Sequence, residues 1–285
     1  MTLARRRLVR VPASSANLGP GFDVMAAALG LGLEVEVAET GRFGVHTDLP
    51  VRTDRDNLTV RGFEALHPAD DFSFTVRSAI PLSGGLGSSA AAVLAGAMAA
   101  DHIFELDADL LAVAAAIEGH VDNAAAALHG GVVIASAGRV DRLDAPLGLE
   151  AVLVIPHRAV ATAAARAALT PDVPRADAVH NLAALARLTL GLARADFELI
   201  AAGLADRIHQ PARASLYPQS TELVARATDL GALGATISGA GPTVLVWTTV
   251  ETTGFVYDAL RRDVSDWARV LRAPFESQGA YVTAL

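Results

Sequence analysis

Apolar and polar positions alternate in several short stretches of the chain. Phe72, Phe74 and Val76 interleave with Ser73, Thr75 and Arg77, which predicts a strand with one buried face. Leu31 to Val37 alternates in the same way, with Glu34 and Glu36 on the polar side, and Phe43 to Thr47 reads as its hairpin partner. Leu8 to Val11 is a short strand expected to end at Pro12. Val132 to Ala135, Ala151 to Ile155, Ala235 to Ser238 and Thr243 to Thr248 are apolar runs of strand length, and further strands fall near Val270 and Tyr281. Helical stretches lie between them. Asp56-Asn57 caps a helix carrying Leu58, Phe63 and Leu66, and Ala90 to Ala100 is an almost unbroken run of helix formers. Asp107 is read as the cap of a helix from Ala108 to Ile117 that delivers Glu118 at its end, and a helix from Ala124 to Leu128 stops at Gly130-Gly131. Past residue 150 helices dominate: Thr162 to Leu169, Asp177 to Ala193, Phe197 to Ile208, and one around Tyr257 to Arg262. A strand-rich first half and a helix-rich second half predict an α+β chain of two domains, residues 1–150 and 151–285.

Four loops between these elements carry the candidate chemistry. The first, Pro81 to Ala92, joins the strand at Phe72 to the alanine-rich helix. It contains Gly84, Gly85 and Gly87 and then Ser88 and Ser89, two residues suited to cap a helix. A strand, a glycine loop and a helix N-terminus together offer bare backbone N–H groups and a positive dipole end to an anion. Glycines let backbone approach phosphate oxygens with no Cβ in the way, so this loop is read as a phosphate cradle. The second, Ala13 to Asp23, is rich in small polar residues and turn formers between two apolar stretches, which suggests a site more than a connector. The third is the compact polar run Gly119 to Asn123, whose His120 and Asp122 lack a third ligand at metal spacing and read as a satisfied polar turn. The fourth, singled out by composition alone, is the small-residue turn Ser238 to Pro242.

Composition narrows what the cradle can serve. The chain has no cysteine, which excludes disulfides, thiol catalysis and cysteine-ligated metals. A net charge of −8 argues against nucleic acid or anionic lipid as partner, and no segment of about 18 uncharged apolar residues predicts a membrane span. Arg5 to Arg7 are not followed by the apolar stretch of a signal peptide, and a cytoplasmic location is expected. All 23 basic residues are arginine. The missing lysine removes the P-loop and protein-kinase phosphate sites as well as Schiff-base chemistry. A dinucleotide fingerprint fits Gly85 to Ala90, but that fold requires a strand after the helix with an acidic residue about 20 positions on, and here another helix follows. A nucleotide held without lysine leaves much of the charge balance to Mg2+, for which Glu118 and a serine hydroxyl of the glycine loop are the hard-oxygen candidates.

At this point the motifs resemble a known family. Pro81 to Ala92 is similar to the P-x-x-x-G-L-G-S-S-A-A signature of the GHMP small-molecule kinases, and other stretches resemble the homoserine kinases among them. These are Val11 to Asp23, Glu118-Gly-His-Val-Asp-Asn123, Ile208-His-Gln-Pro-Ala-Arg213 and Ile237-Ser-Gly-Ala-Gly-Pro-Thr243. Val121 stands where the motif has proline, Ser83-Gly84 where Gly-Arg is frequent, and His180-Asn181 where Phe-Asn is frequent. The resemblance implies a GHMP kinase fold, with a first domain like ribosomal protein S5 domain 2 and a ferredoxin-like second domain. It implies phosphorylation of L-homoserine by ATP with Mg2+, a step of threonine biosynthesis, and makes a homodimer an expectation. Residue by residue, Leu82, Ser83, Gly84, Gly85, Leu86, Gly87, Ser88 and Ser89 would wrap the phosphates, and Asn57, Leu58 and Val60 would lie near the adenine. Ser89 or Ser88, with Glu118, would hold Mg2+. Asn17, Asp23, Asp122 and Asn123 would surround the amino acid and its hydroxyl, Asp23 orienting that hydroxyl for attack. Arg166 and Arg213 would bind the carboxylate beside the glycine loop that contains Gly241, a task that suits planar bidentate forks.

Overall fold

A computed structural model describes residues 5–285. Its strands, in chain order, are β1 (Arg6–Ala16), β2 (Met25–Glu39), β3 (Gly44–His46), β4 (Phe72–Ser78), β5 (Val132–Ser136), β6 (Arg139–Leu143), β7 (Leu149–Pro156), β8 (Gly234–Ile237), β9 (Val244–Thr249), β10 (Ala268–Arg272) and β11 (Tyr281–Ala284). The helices are α1 (Leu58–Glu64), α2 (Ser88–Phe104), α3 (Leu110–Glu118), α4 (Asp122–His129), α5 (Thr162–Ala167), α6 (Arg175–Arg194), α7 (Phe197–Ala202), α8 (His209–Arg213), α9 (Pro218–Arg226) and α10 (Thr253–Asp263).

Two sheets organise these elements. The first runs β11-β1-β2-β4-β3, with β5 paired to the start of β2 and β6 paired to β5. Strand β2 serves two environments along its length. In its second half Leu33, Val35 and Val37 are buried, while Glu34 and Glu36 face out and pair across strands with Arg10 (2.6 Å) and Arg6 (2.7 Å). In its first half Met25 to Leu29 are all buried, because α2 and α4 cover that part of the sheet. Helices α1 and α2 touch backbone to backbone: a Cβ on Gly96 would lie 1.8 Å from the Thr59 carbonyl oxygen, and one on Gly62 2.1 Å from that of Val93. The second sheet runs β10-β7-β9-β8, all antiparallel, with α6 between β7 and β8 in the chain and α10 between β9 and β10. That order is the split βαβ of a ferredoxin-like fold. Its core, built on Val152, Val154, Ile237, Val246, Val256 and Leu260, is separate from the larger core under the first sheet. The four-residue β11 returns to pair with β1, so the end of the chain belongs to the first sheet.

Several expectations are corrected. Strand β1 does not end at Pro12; it continues to Ala16 through a register shift between Pro12 and Ala13, so Ser14 and Ser15 are strand residues, fully buried. The Gly44–His46 segment pairs parallel to β4, not as a hairpin with β2. Asp109, not Asp107, caps α3 through its carboxylate on the Ala112 N–H, and Asp107 takes a positive φ of 53°. Ser88 and Ser89 lie inside the first turn of α2, whose N-cap is Gly87 at φ 69°. The stretch from Phe197 to Ile208 is not one helix: α7 ends at Ala202 before Gly203, and α8 begins at His209. Helix α9 and strand β6 had no counterpart in the pattern reading.

Candidate active site

The four loops singled out in the sequence converge on one cleft between the two sheets. Its walls include Ser83 to Ala90, Asn17, Phe22 and Asp23, Glu118, His120, Asp122 and Asn123, Arg166 and Arg213, and Gly239 to Gly241. The seam between the sheets is stitched by short bonds between these segments. Ser238 Oγ donates to the Gly85 carbonyl (2.7 Å) and meets Ser15 Oγ (2.8 Å), the Gly239 N–H donates to the Ala16 carbonyl (3.0 Å), and the Ser14 N–H donates to the Leu86 carbonyl (3.2 Å). Gly85, at φ 77°, has no room for a side chain: a Cβ there would lie 2.3 Å from the Ser238 carbonyl oxygen. Gly87 is as tight, with a Cβ falling 2.1 Å from Ser14 Oγ. These contacts hold the loop open-faced at the N-terminus of α2, where the first-turn N–H groups have no intrahelical acceptor.

Beside the loop, Ser89 Oγ donates to Glu118 Oε1 at 2.6 Å. Two hard oxygens from α2 and the end of α3 thus meet at the cleft wall, a donor set that fits Mg2+ once phosphate oxygens and water complete the shell. It is Ser89, not Ser88, that meets Glu118. No cluster of three or more His, Cys, Asp or Glu side chains exists among the described residues, so protein atoms alone would not make a metal cage.

The polar run after α3 folds onto itself. His120 Nδ1 lies 3.1 Å from Asp122 Oδ1, the Asn123 N–H donates to the same oxygen at 2.7 Å, and Ser14 Oγ donates to Asn123 Oδ1 at 2.9 Å. Asp122 is buried, and its hydrogen bond holds the His120 imidazole above the usual histidine range. Opposite, Asn17 takes a positive φ of 72°, which asparagine tolerates better than most residues, and its side chain bridges two segments. Its Nδ2 donates to the Gly239 carbonyl (2.8 Å), and its Oδ1 accepts the Asp23 N–H (3.0 Å). Asp23, itself at φ 54°, faces Arg166 from α5 in a two-pronged pair with both N···O distances 3.3 Å. Both partners are about two-fifths exposed, so the pair is easily exchanged for a ligand.

Arg213 differs from Arg166 in being almost wholly buried. Its Nε donates to the Ala165 carbonyl (2.8 Å), Nη1 reaches the Gly239 carbonyl (3.3 Å) and His209 Nδ1 (3.2 Å), and its guanidinium lies over the Phe22 ring. Among the described residues no protein acceptor engages Nη2. Burial pulls the guanidinium below its ordinary value, and burial also pushes the neighbouring Tyr217 phenol up to about 12.

Three expected positions stand apart. Asn57 caps α1, its Oδ1 accepting the Thr59 N–H (2.9 Å) and its Nδ2 donating to the Arg52 carbonyl (2.6 Å); Val60 is fully buried against α2; Leu58 is half-buried. None of them lines the cleft, and Leu82, 38% exposed, lies just outside its rim. Sequence reasoning passed over Ser14, Phe22, His120 and Thr162 as cleft or support residues, along with Asp206 and His209 behind Arg213. Ser14 looked like a turn former; Phe22, His120 and His209 lie inside quoted motifs without being given a role there, and no local pattern marks Thr162 or Asp206.

The chain is similar to known proteins over most of its length. Residues 57–131 match the model of the GHMP kinases N-terminal domain and residues 183–266 that of the GHMP kinases C-terminal domain. A homoserine kinase of Gloeobacter violaceus is 40% identical over 271 residues, 88% of this chain and 91% of that protein. The crystal structure of homoserine kinase from Cytophaga hutchinsonii superposes with a TM-score of 0.88 at 29% identity, covering 99% of both chains. Mevalonate kinase of Methanococcus jannaschii, at 14% identity and a TM-score of 0.71 over 94% of this chain and 98% of that one, shares the fold alone. Two matching domain models and relatives that align from end to end leave one assignment: the chain belongs to the GHMP kinase family, among its homoserine kinases.

Proposed function

We propose that the chain transfers the γ-phosphoryl group of ATP to the hydroxyl of L-homoserine, giving O-phospho-L-homoserine and ADP, a step toward threonine. The observation that carries this reading is the convergence, on one cleft, of a lysine-free glycine loop with the Ser89–Glu118 pair on one side and the Asp23–Arg166 pair on the other.

The residues divide the work as phosphoryl transfer requires, by positioning and charge stabilisation more than covalent chemistry. Backbone N–H groups from Ser83 to Ser89 receive the phosphates. Ser89 and Glu118 would hold Mg2+, which would supply charge neutralisation to the transferring phosphoryl group. Across the cleft, Arg213 presents its free Nη2, and Arg166 exchanges Asp23 for the substrate carboxylate. That exchange frees Asp23 to accept the hydrogen bond of the substrate hydroxyl and aim its oxygen at the γ-phosphorus. As the new O–P bond forms, the bridging bond to ADP breaks and the hydroxyl proton is released along its hydrogen bond to Asp23. Asn17 fixes the backbone of Asp23, and Asp122 and Asn123 supply acceptors for the ammonium group. Asn57, Leu58 and Val60 would serve the adenine from outside the cleft lining, and Leu82 would border the phosphates at the start of the glycine loop.

A coupled ADP-release assay with Mg-ATP over a panel of hydroxy-amino acids and hydroxy-acids tests the reading. Homoserine should give the highest kcat/KM. A rate at background with homoserine, or a higher one with a hydroxy-acid lacking the ammonium, would reject it.

A further inference from the structure

We infer that His209, a residue outside the cleft lining, is a positioning residue that locks Arg213 and the 17–23 loop into one unit, so that carboxylate recognition and hydroxyl aim depend on the same buried imidazole. The inference rests on the homoserine-kinase reading above.

The imidazole is fully buried, yet both of its nitrogens are used. Nε2 lies 2.9 Å from the Gly19 carbonyl oxygen. A carbonyl only accepts, so Nε2 carries the proton. Nδ1 is then a lone pair, and the Arg213 Nη1–H donates to it at 3.2 Å. One ring therefore touches the loop that presents Asn17 and Asp23 and the guanidinium that lines the cleft. The same two elements meet again through Phe22, which stacks on the imidazole (5.3 Å between centroids, 25° between planes) and lies beneath the Arg213 guanidinium.

The ring is itself held in place. Asp206 is buried and accepts the N–H groups of Ile208 (3.0 Å), His209 (3.0 Å) and Gln210 (2.7 Å), which fixes the first turn of α8. Asn181 of α6 donates to the same carboxylate at 2.7 Å. A histidine needed only to fill space would not require a fixed tautomer with a different partner at each nitrogen. A hydrophobic side chain of similar volume would fill that space while leaving the Gly19 carbonyl and Arg213 Nη1 each short of a partner.

The test compares His209→Leu, which offers neither bond, with His209→Gln, whose amide offers a donor and an acceptor at nearly the imidazole spacing. Substrates are L-homoserine and 3-aminopropan-1-ol, the same alcohol without its carboxylate. For His209→Leu, kcat/KM for homoserine should fall by at least about tenfold, the size of one lost hydrogen bond to a charged group. The KM for ATP should stay within about twofold, because among the described residues no hydrogen bond joins the phosphate loop directly to His209, Arg213 or the 17–23 loop. The preference for homoserine over the carboxyl-free alcohol should shrink, and His209→Gln should restore most of it. An equal fall for both alcohols, or a ratio unchanged from wild type, would overturn the inference and leave His209 as packing. Should His209→Leu fail to fold, His209→Asn, whose shorter amide reaches one partner only, supplies the same ratio. Wild-type protein inactive on homoserine would instead reject the functional reading, so the two failures are told apart.

Discussion

The two sides of the cleft are built on different plans. The phosphate cradle is a single continuous piece of chain, strand β4, the glycine loop and the start of α2, which meets its ligand mainly with backbone and is joined from outside by Glu118 at the end of α3. The amino-acid side is assembled from distant segments: Asn17 and Asp23 after β1, Arg166 on α5, Arg213 on α8 and Gly239 to Gly241 between β8 and β9. The difference follows from what each ligand offers. Triphosphate charge is spread over many equivalent oxygens, which a row of N–H groups and a helix dipole receive without side-chain selectivity. A small amino acid is told apart by a carboxylate, an ammonium and a hydroxyl pointing in three directions. No single segment presents opposite charges at those angles, so the fold gathers them from both sheets and binds them through buried groups such as His209.

Substitutions on either side should separate the two plans. The largest effect is expected for Asp23→Asn, which keeps the shape and the backbone N–H bond donated to Asn17 Oδ1 but removes the charged acceptor for the hydroxyl. Turnover should drop by roughly 10²–10⁴-fold, the usual size of a lost acid–base or orienting carboxylate, with the KM for ATP nearly unchanged. Steady-state kinetics with each substrate varied in turn checks this; an equal loss of ATP affinity would show that the sides are not independent. Glu118→Gln should cut turnover by about 10²-fold and raise the Mg2+ concentration for half-maximal rate, while the KM for homoserine stays put. A Mg2+ titration with unchanged midpoint would deny Glu118 its role. The seam between the sides comes next. Gly85→Ala places a Cβ against the Ser238 carbonyl at a positive φ, which should cost about 1–3 kcal/mol and lower Tm by several degrees. Calorimetry showing no change would mean that the loop moves freely off β8.

The same contrast explains what the sequence disclosed. The phosphate side was legible because its signal is contiguous: Gly84, Gly85 and Gly87 stand between an alternating strand and a run of helix formers. The α+β class followed from strand-length apolar runs in the first half and helical runs in the second, the ferredoxin-like second sheet came only with the family resemblance, and Asn57 was legible as a cap from its place ahead of Leu58. What escaped depends on partners far along the chain. Ser14 and Ser15 read as turn residues, yet they are buried strand residues satisfied by Asn123 and Ser238, 109 and 223 positions away. Proline at position 12 signalled a strand end, but the register shift beside it lets β1 run on to the cleft. Asp206 and His209 form a support whose worth lies in a tautomer and two distances, neither of which periodicity reports.

The smallest effect concerns two histidines, His120 in the cleft wall and His209 behind it, which are shifted in opposite senses and so test the comparison through stability. The hydrogen bond that His120 donates to Asp122 raises the proton affinity of its ring, and burial lowers that of His209. For a raised group the stabilisation is complete below the unfolded value of 6.5 and is lost as pH climbs through the higher folded value. For a lowered group the unfolded chain takes up the proton first, so stability declines as pH falls below 6.5. Stability against pH should therefore be limited on the alkaline side of 6.5 by His120 and on the acid side by His209. His120→Gln should flatten the first limb and His209→Gln the second, read by denaturant melts across pH, with imidazole nitrogen NMR following each ring. A His120 resonance that titrates below the ordinary value, or a His209 ring that protonates above it, would show that the polar run after α3 and the buried unit behind Arg213 do not differ as the geometry requires.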